Sequence, residues 1–468
     1  MFVQRLHARL HRPLPADATA RNPRFGPKAR PKPAGEHPVK KIFVITLAAA
    51  AIGFGVHGAS AATYTVEHNF CVKTDCADGG QPSAAPIADA SGNYYGTTVT
   101  GGSTNNGTVY RMSFNGTVWK SAVLHSFCVK TDCADGSQPQ GGLVMDTAGN
   151  LYGMASSGGY NDAGVVYELS PNGSKWTYTL LYKFCKKTNC PDGQHPYYAS
   201  LSYQGAATGA AYDGTSPLYG TAQMGGANQS GVVFQLTPSG GTWTESTVYD
   251  FCALANCIDG GLPFAGVTVD GSGNIFGTAP LGGVGESEDC CGVLFELKHG
   301  AHWTYVSLYD FCSDTVAMVC LDGQGPLASP MIDAMGNLYG TTALGGSHNL
   351  GTVYKVVPNG SKSKLTTLYN FCPAKNCPDG FFPWTGALAM DASGTLYGTT
   401  SQGGKAGAGT VFSLSGPKLN KFNAMVVFTG RDGGAPQSNP VLDSSGALYG
   451  VTQGGGKEKN GVFYKLTP

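Results

Sequence analysis

The stretch Asp333–Tyr369 reads DAMGNLYGTTALGGSHNLGTVYKVVPNGSKSKLTTLY, and its reading decides the fold. β-Branched and aromatic residues fill the N-L-Y-G-T-T element at Asn337–Thr342 and the G-T-V-Y element after it, and Gly, Asn, Asp and Pro separate the runs. That alternation marks short strands joined by turns. Working outward, the Tyr/Phe-Gly pair recurs at Tyr95, Tyr152, Tyr219, Phe276, Tyr339, Tyr397 and Tyr449, at intervals of 57, 67, 57, 63, 58 and 52 residues. Each copy holds four candidate strands. One precedes the Asp, as in Gly142–Asp146; the second is the N-L-Y-G-T-T element; the third resembles Gly231–Leu236; the fourth runs from a Trp to a Phe, as in Trp176–Phe184. Seven copies of four strands predict an all-β chain folded as a seven-bladed β-propeller. The ends sharpen this. The last copy stops after its third strand at Pro468, and an orphan fourth strand, Thr63–Phe70, opens the repeat region. If the N-terminal strand completes the last blade, the ring closes and no sheet edge is left open.

The motif N-L-Y-G-T-T-x-x-G-G-x(4)-G-T-V-Y at Asn337–Tyr354, with its variants elsewhere, resembles the GloVer tandem repeat of exported bacterial proteins. The resemblance covers essentially all of 63–468. It implies a secreted or surface-anchored repeat protein and implies no activity. Many family members carry a C-terminal anchor; no such segment is seen before Pro468.

Composition agrees with a turn-rich β protein. The chain has 69 Gly in 468 residues and only 13% charged residues, and Gly does not recur at every third position. Disordered polyelectrolytes, coiled coils and collagen are thereby excluded. The zero net charge averages two unlike parts: residues 1–41 carry +8 and residues 62–468 carry −8. An acidic body lacks the basic face of a nucleic-acid binder, so no nucleic-acid partner is expected. Residues 1–41 form a basic extension. Within 42–61, the apolar run Ile42–Val56 follows Lys40-Lys41 and precedes Ala59-Ser60-Ala61, the layout of a signal peptide; an uncleaved anchor is the alternative. A compact signal would start at Val39, which makes 1–38 an over-extended start. The mature propeller, 62–468, is then exported, with no transmembrane span, to the periplasm, the cell surface or the medium.

Twelve of the fourteen cysteines form local pairs: Cys71 with Cys76, Cys128 with Cys133, Cys185 with Cys190, Cys252 with Cys257, Cys312 with Cys320 and Cys372 with Cys377. In an exported chain this repeated spacing reads as disulfides rather than zinc ligands. The seventh copy, Val427–Gly433, lacks the pair, so the bridges are expected to brace loops rather than hold the fold. Cys290 and Cys291 stand in an acidic loop with Glu286, Glu288 and Asp289. A vicinal disulfide, a carboxylate–thiolate metal site and a plain surface insertion all remain open there.

Successive antiparallel strands reverse direction, so the D-x-x-G-N and P-x-G turns share one end of the ring. They are expected to be tight and uniform. The Gly-Gly loops and the Cys loops share the other end, which is expected to carry function. It offers a ring of carboxylates (Asp78, Asp135, Asp192, Asp259, Asp322, Asp379, Asp432), which could hold Ca²⁺ or simply bond their own turns. It also offers the aromatics Tyr197, Tyr198, Phe264, Phe381, Phe382 and Trp384, which would stack on sugars or anchor a protein, or else pack between blades. His195 and His348 lie on the same end. Trp119, Trp176, Trp243 and Trp303 recur at the start of the fourth strand and are expected to be structural. No nucleophile elbow, zincin helix, phosphate loop or dinucleotide motif is present. The reading is a monomeric binding module for an extracellular glycan or surface protein, without a cofactor. A propeller-fold polysaccharide lyase or hydrolase and a structural envelope protein are the alternatives.

Overall fold

The computed structural model describes residues 62–284, 291–316, 319–360 and 362–468. The N-terminal extension and signal segment, and Glu286, Glu288, Asp289 and Cys290, lie outside them. The described residues form seven antiparallel blades. Blade 1 is typical: an inner strand Ile87–Ala88, then Tyr94–Thr98, Thr108–Phe114 and the outer strand Trp119–Ser126. Blade 7 takes Val441–Leu442, Leu448–Thr452 and Val462–Thr467 from the C-terminus and its outer strand, Thr63–Asn69, from the N-terminus. Thr63 pairs with Thr467 and Asn69 with Val462, so the ring closes as the orphan strand predicted.

Burial falls from the middle of each blade outward, and the sequence patterns follow it. The five residues of Leu338–Thr342 are all buried, Thr352–Val357 is buried except at Lys355 and Val357, and the outer Lys364–Asn370 alternates with solvent. A strand buried on both faces needs small or apolar residues throughout, whereas an outer strand keeps period-2 alternation. The Gly of Y-G-T-T is set by contact: a Cβ on Gly96 would lie 2.5 Å from Tyr110 Oη. The third-strand ring covers this Gly in every blade, by Tyr110, Tyr167, Phe234, Phe295, Tyr354, Phe412 or Tyr464. Trp119, Trp176, Trp243 and Trp303 pack half-buried against these core clusters.

Blade 3 departs from the pattern. Its sheet has three strands, Leu218–Ala222, Val232–Ser239 and Thr242–Asp250, and its inner position is reduced to the bridge between Ser202 and Tyr219. The chain leaves that bridge for an insertion, residues 203–217. The insertion bridges Asp146 of blade 2 through Tyr212, bonds Asp270 of blade 4 through the Gly205 N–H, and reaches Met331 of blade 5 and Met390 of blade 6 around Ala207. Contacts to inner strands on both sides place it across the axis. The turn end of the ring is therefore not uniform, as expected from the sequence, but floored by blade 3.

Removing Thr63–Asn69 should strip the outer strand from blade 7 and expose the edge of Val462–Thr467 with the packing partners of Tyr64 and Val66. The expected outcome is loss of the cooperative thermal transition or self-association, read by circular dichroism and size-exclusion chromatography. A monomeric truncation with an unchanged melting temperature would show that closure does not matter.

Candidate functional site

The loop end of the ring is built on a repeated brace. A buried Phe, such as Phe70 or Phe127, anchors each loop. Disulfides then close six of the loops, and all six expected pairs are present. Cys71 is bonded to Cys76, Cys128 to Cys133, Cys185 to Cys190 and Cys252 to Cys257. Cys312 is bonded to Cys320 across the wider loop, and Cys372 to Cys377. The second cysteine of each pair also holds the turn that follows. The carbonyls of Cys76, Cys133, Cys190, Cys257, Cys320 and Cys377 accept the N–H of the Gly three residues on, at 2.8–3.2 Å. These twelve residues therefore shape the loops and leave no thiolate to hold a ligand or metal. Cys291 is also disulfide-bonded. Six bridges fit an oxidising compartment. Among the described residues no helix is long and apolar enough to cross a membrane.

The ring of Asp residues faces its own loops. Asp78 accepts the N–H groups of Val72 and Lys73, Asp135 those of Val129 and Lys130, and Asp259 those of Ala253 and Leu254. Asp322 and Asp379 accept the N–H groups of Cys312 and Cys372, and Asp432 that of Thr429, which holds the one loop lacking a disulfide. Four of these carboxylates also accept a Tyr hydroxyl: Tyr182, Tyr249, Tyr309 and Tyr369 donate to Asp192, Asp259, Asp322 and Asp379 at 2.7–2.9 Å. Among the described residues, no three His, Cys, Asp or Glu side chains come together as cation ligands.

His68 and His125 stand where those tyrosines stand. Their Nε2 atoms lie 3.9 Å from Asp78 and 3.5 Å from Asp135 and make no hydrogen bond among the described residues. Burial lowers both imidazole pKa values, against the attraction of the neighbouring Asp and with a small push from Lys73 or Lys130.

Toward the axis, each loop passes through an X-Pro pair whose X has positive φ: Gln81, Gln138, His195, Leu262, Gly325, Phe382 and Ala435. The residues just after this Pro differ from blade to blade. In three blades, rings within two residues of it meet. Tyr198 of blade 3 stacks on Phe264 of blade 4 at 5.2 Å; Phe264 meets Trp384 of blade 6 edge-on at 5.9 Å; Trp384 stacks on Phe382 at 5.7 Å. His195 stacks on Tyr197 at 5.4 Å, and its Nδ1 is 3.1 Å from the Ser156 carbonyl. Phe264 and Phe382 are buried, 5% and 4% exposed, and form an underlayer. Tyr197, Tyr198, Phe381, Trp384 and His195 are half-buried. Phe381 packs toward the core cluster of blades 5 and 6. His348 is exposed on a Gly-Gly loop, 3.0 Å from Ser347 Oγ, apart from the ring cluster.

Tyr198 also lines an axial cavity of about 180 Å³ to which every blade contributes, among them Ser83, Gln140, Ser200, Ser329, Thr385 and Ser438. Burial pushes the Tyr198 hydroxyl up to about 12, so it is a neutral donor. No other lining residue is ionisable. Gln140 Oε1, Gln437 Oε1 and Ser438 Oγ have no hydrogen-bond partner among the described residues. The sequence placed the aromatic residues on one end of the ring; that rings from three blades meet across the axis depends on the radial position of the X-Pro pairs, which spacing does not reveal.

The Gloeobacter/Verrucomicrobia repeat profile matches residues 44–217 and 312–468, most of the chain. No curated protein matches. Among solved structures, a Bacteroides uniformis protein provisionally described as a 6-phosphogluconolactonase is 16% identical, with 74% of this chain and 84% of that chain covered and a TM-score of 0.43. The β-propeller domain of the Trilobed protease from Pyrococcus furiosus is 8% identical, with 83% and 94% covered and a TM-score of 0.42. Trypanosoma rangeli sialidase is 8% identical, with 87% and 59% covered and a TM-score of 0.39.

The two histidines give a pH prediction. Their lowered folded pKa means that the unfolded chain binds protons first. Their contribution to stability is complete above the unfolded value of about 6.5 and is lost as pH falls toward and through the folded values. Tyr at both positions supplies the hydroxyl used by the next four blades and removes this titration. The melting temperature of the double variant, His68→Tyr with His125→Tyr, should exceed wild type by more at pH 5 than at pH 8. An equal difference at both values would refute the assignment.

Proposed function

The chain belongs to the Gloeobacter/Verrucomicrobia repeat family, and from that premise we propose that it acts as an exported binding module whose ring platform holds a neutral glycan. The convergence of Tyr198, Phe264 and Trp384 from three blades carries this reading. Half-buried Tyr198 and Trp384, backed by the buried Phe264, present stacking area with little conformational freedom left to lose, and sugars offer C–H faces to such rings. The polar groups beside the platform are hydroxyls and amides, which match sugar hydroxyls and offer no charge to an ionic ligand. Backbone strain at the six X-Pro pairs whose X is not Gly supports the same view, because rare φ values persist where surrounding structure holds them and often at ligand clamps. The cavity is smaller than the roughly 300–1,000 Å³ of drug-sized sites, so it would take part of one sugar unit while the rings hold the next.

The test is calorimetry of the full chain against a panel of neutral oligosaccharides, repeated with Trp384→Ala and Tyr197→Ala. Truncating a central stacked ring typically removes about 2 kcal/mol or more, roughly thirtyfold in affinity. Trp384→Ala should show that loss, with Tyr197→Ala weaker in effect. Wild-type affinity in Trp384→Ala would overturn the proposal. Binding to none of the glycans, with capture of an envelope protein instead, would replace it.

A further inference from the structure

One packing position on the outer strands is broken in a single blade by a charge. Opposite the last buried apolar residue of the third strand stand Tyr64, Tyr178, Tyr305 and Phe422 in four blades. Ser121 and Leu365 take the position in two others, and Glu245 takes it in blade 3. Three of these rings cover the ring that ends the preceding blade: Tyr178 stacks on His125 at 4.4 Å, Tyr305 on Tyr249 at 4.8 Å and Phe422 on Tyr369 at 4.3 Å. Tyr182 is the corresponding ring before blade 3. Among the described residues its only ring neighbour is Phe184, edge-on, so no ring covers it as one does in those three blades.

A cavity of about 320 Å³ lies there, walled by Tyr182, Lys186, Lys187, Asp192, Glu245 and Thr247. That volume lies at the lower end of small-ligand sites, about 300–1,000 Å³. Tyr182 Oη donates to Asp192 Oδ2 at 2.7 Å and lies 3.4 Å from Glu245 Oε2. Asp192 is 8% exposed, and its Oδ1, like that of Asp379, has no partner among the described residues, whereas both oxygens of Asp78, Asp135 and Asp259 accept backbone N–H groups. Pro191 precedes Asp192 and Pro378 precedes Asp379, where Ala77, Ala134 and Ile258 precede Asp78, Asp135 and Asp259. Among the described residues neither lysine forms an ion pair with Asp192 or Glu245. Burial, with the Asp192 charge and a smaller push from Asp250, raises the Glu245 carboxyl to about 7, against hydrogen bonds from Thr247 and Tyr182.

We propose that this slot between the outer strands of blades 2 and 3 is a saccharide subsite, in which a sugar ring lies on Tyr182 where other blades seat their own ring. Its hydroxyls donate to Asp192 and Glu245 and accept from Lys186 and Lys187. A bare cation is disfavoured because two lysines line the same cavity as the two carboxylates. A polyol satisfies donors and acceptors together. The subsite uses no residue of the axial platform.

The experiment is an NMR titration of the full chain with methyl β-D-glucopyranoside, methyl α-D-mannopyranoside and N-acetylglucosamine, followed through resonances around Tyr182. At least one sugar should give saturable shifts at millimolar concentration. Glu245→Tyr, which restores the ring of the neighbouring blades, should weaken binding at least tenfold without lowering the melting temperature. Glu245→Gln, which keeps the shape, gives the same test if the first variant folds poorly. Affinity should rise as pH passes through about 7, because the ionised Glu245 is the better acceptor. Trp384→Ala should leave these shifts unchanged, which separates this site from the platform. No saturable shift with any of the three sugars, or wild-type affinity in both Glu245 variants, overturns the proposal.

Discussion

The ring depends on one contact repeated at every blade boundary, a Pro seated against a Gly. The Gly that opens the third strand of one blade has positive φ and no room for a Cβ, because the Pro of the next blade lies against it. A Cβ on Gly107 would be 2.6 Å from Pro139 Cδ, and Gly461 meets Pro82 in the same way across the closure. The residue before each Pro adopts positive φ and donates its N–H back to the preceding blade, as Gln138 does to Asn106 at 2.8 Å and Gln81 to Asn460 at 2.8 Å. A residue before Pro prefers extended backbone, and left-handed φ is unfavourable for any residue but Gly. The hydrogen bond and the Gly–Pro contact offset that penalty, and they fix the distance of each blade from the axis.

Chemistry at the centre follows from this geometry. Beyond the seated Pro, the next residues supply the lining of the axial cavity or the rings beside it. Blade 1 puts Ser83 there, blade 2 Gln140, blade 3 Tyr198, blade 4 Phe264, blade 6 Trp384 and blade 7 Gln437. The frame is a repeat and the content is not. Small polar residues on one side and large rings on the other leave a cavity beside an aromatic cluster rather than an open channel.

The periodic part of the molecule was legible because each repeated residue has a local reason. Gly96 lies under Tyr110, Asp78 bonds its own loop, and Cys76 closes that loop onto Cys71, so spacing alone places the blades, the closure and the cysteine pairs. The same logic explains the Asp ring: a carboxylate needed to hold each loop recurs in each loop. The aromatic group was legible only as residues on one end. Phe264 and Phe382 form a buried underlayer, and nothing in their spacing distinguishes them from half-buried Trp384. The insertion at 203–217 shows in the sequence as the 67-residue interval between Tyr152 and Tyr219, but its path across the axis follows from its bonds to blades 2 and 4 and the cavity it lines with blades 5 and 6.

Blade 3 gathers departures that elsewhere occur singly or not at all. It lacks a regular inner strand, floors the axis with its insertion, contributes Tyr198 to the platform, and places Glu245 where four blades have a ring. The missing inner strand and the buried carboxyl weaken the blade as a structural unit. A buried aromatic side chain contributes about 1.5–3 kcal/mol by burial alone, and a carboxyl in its place adds a desolvation penalty instead. Burial is the largest cause raising the Glu245 carboxyl, with the Asp192 charge beside it. A pseudo-symmetric ring can accommodate such a blade because its neighbours hold it on both sides, through Gly231 against Pro263 and through Pro196 against Gly164. The propeller therefore confines its least stable local chemistry to one blade braced by six regular ones, an arrangement in which binding groups can diverge without opening the ring.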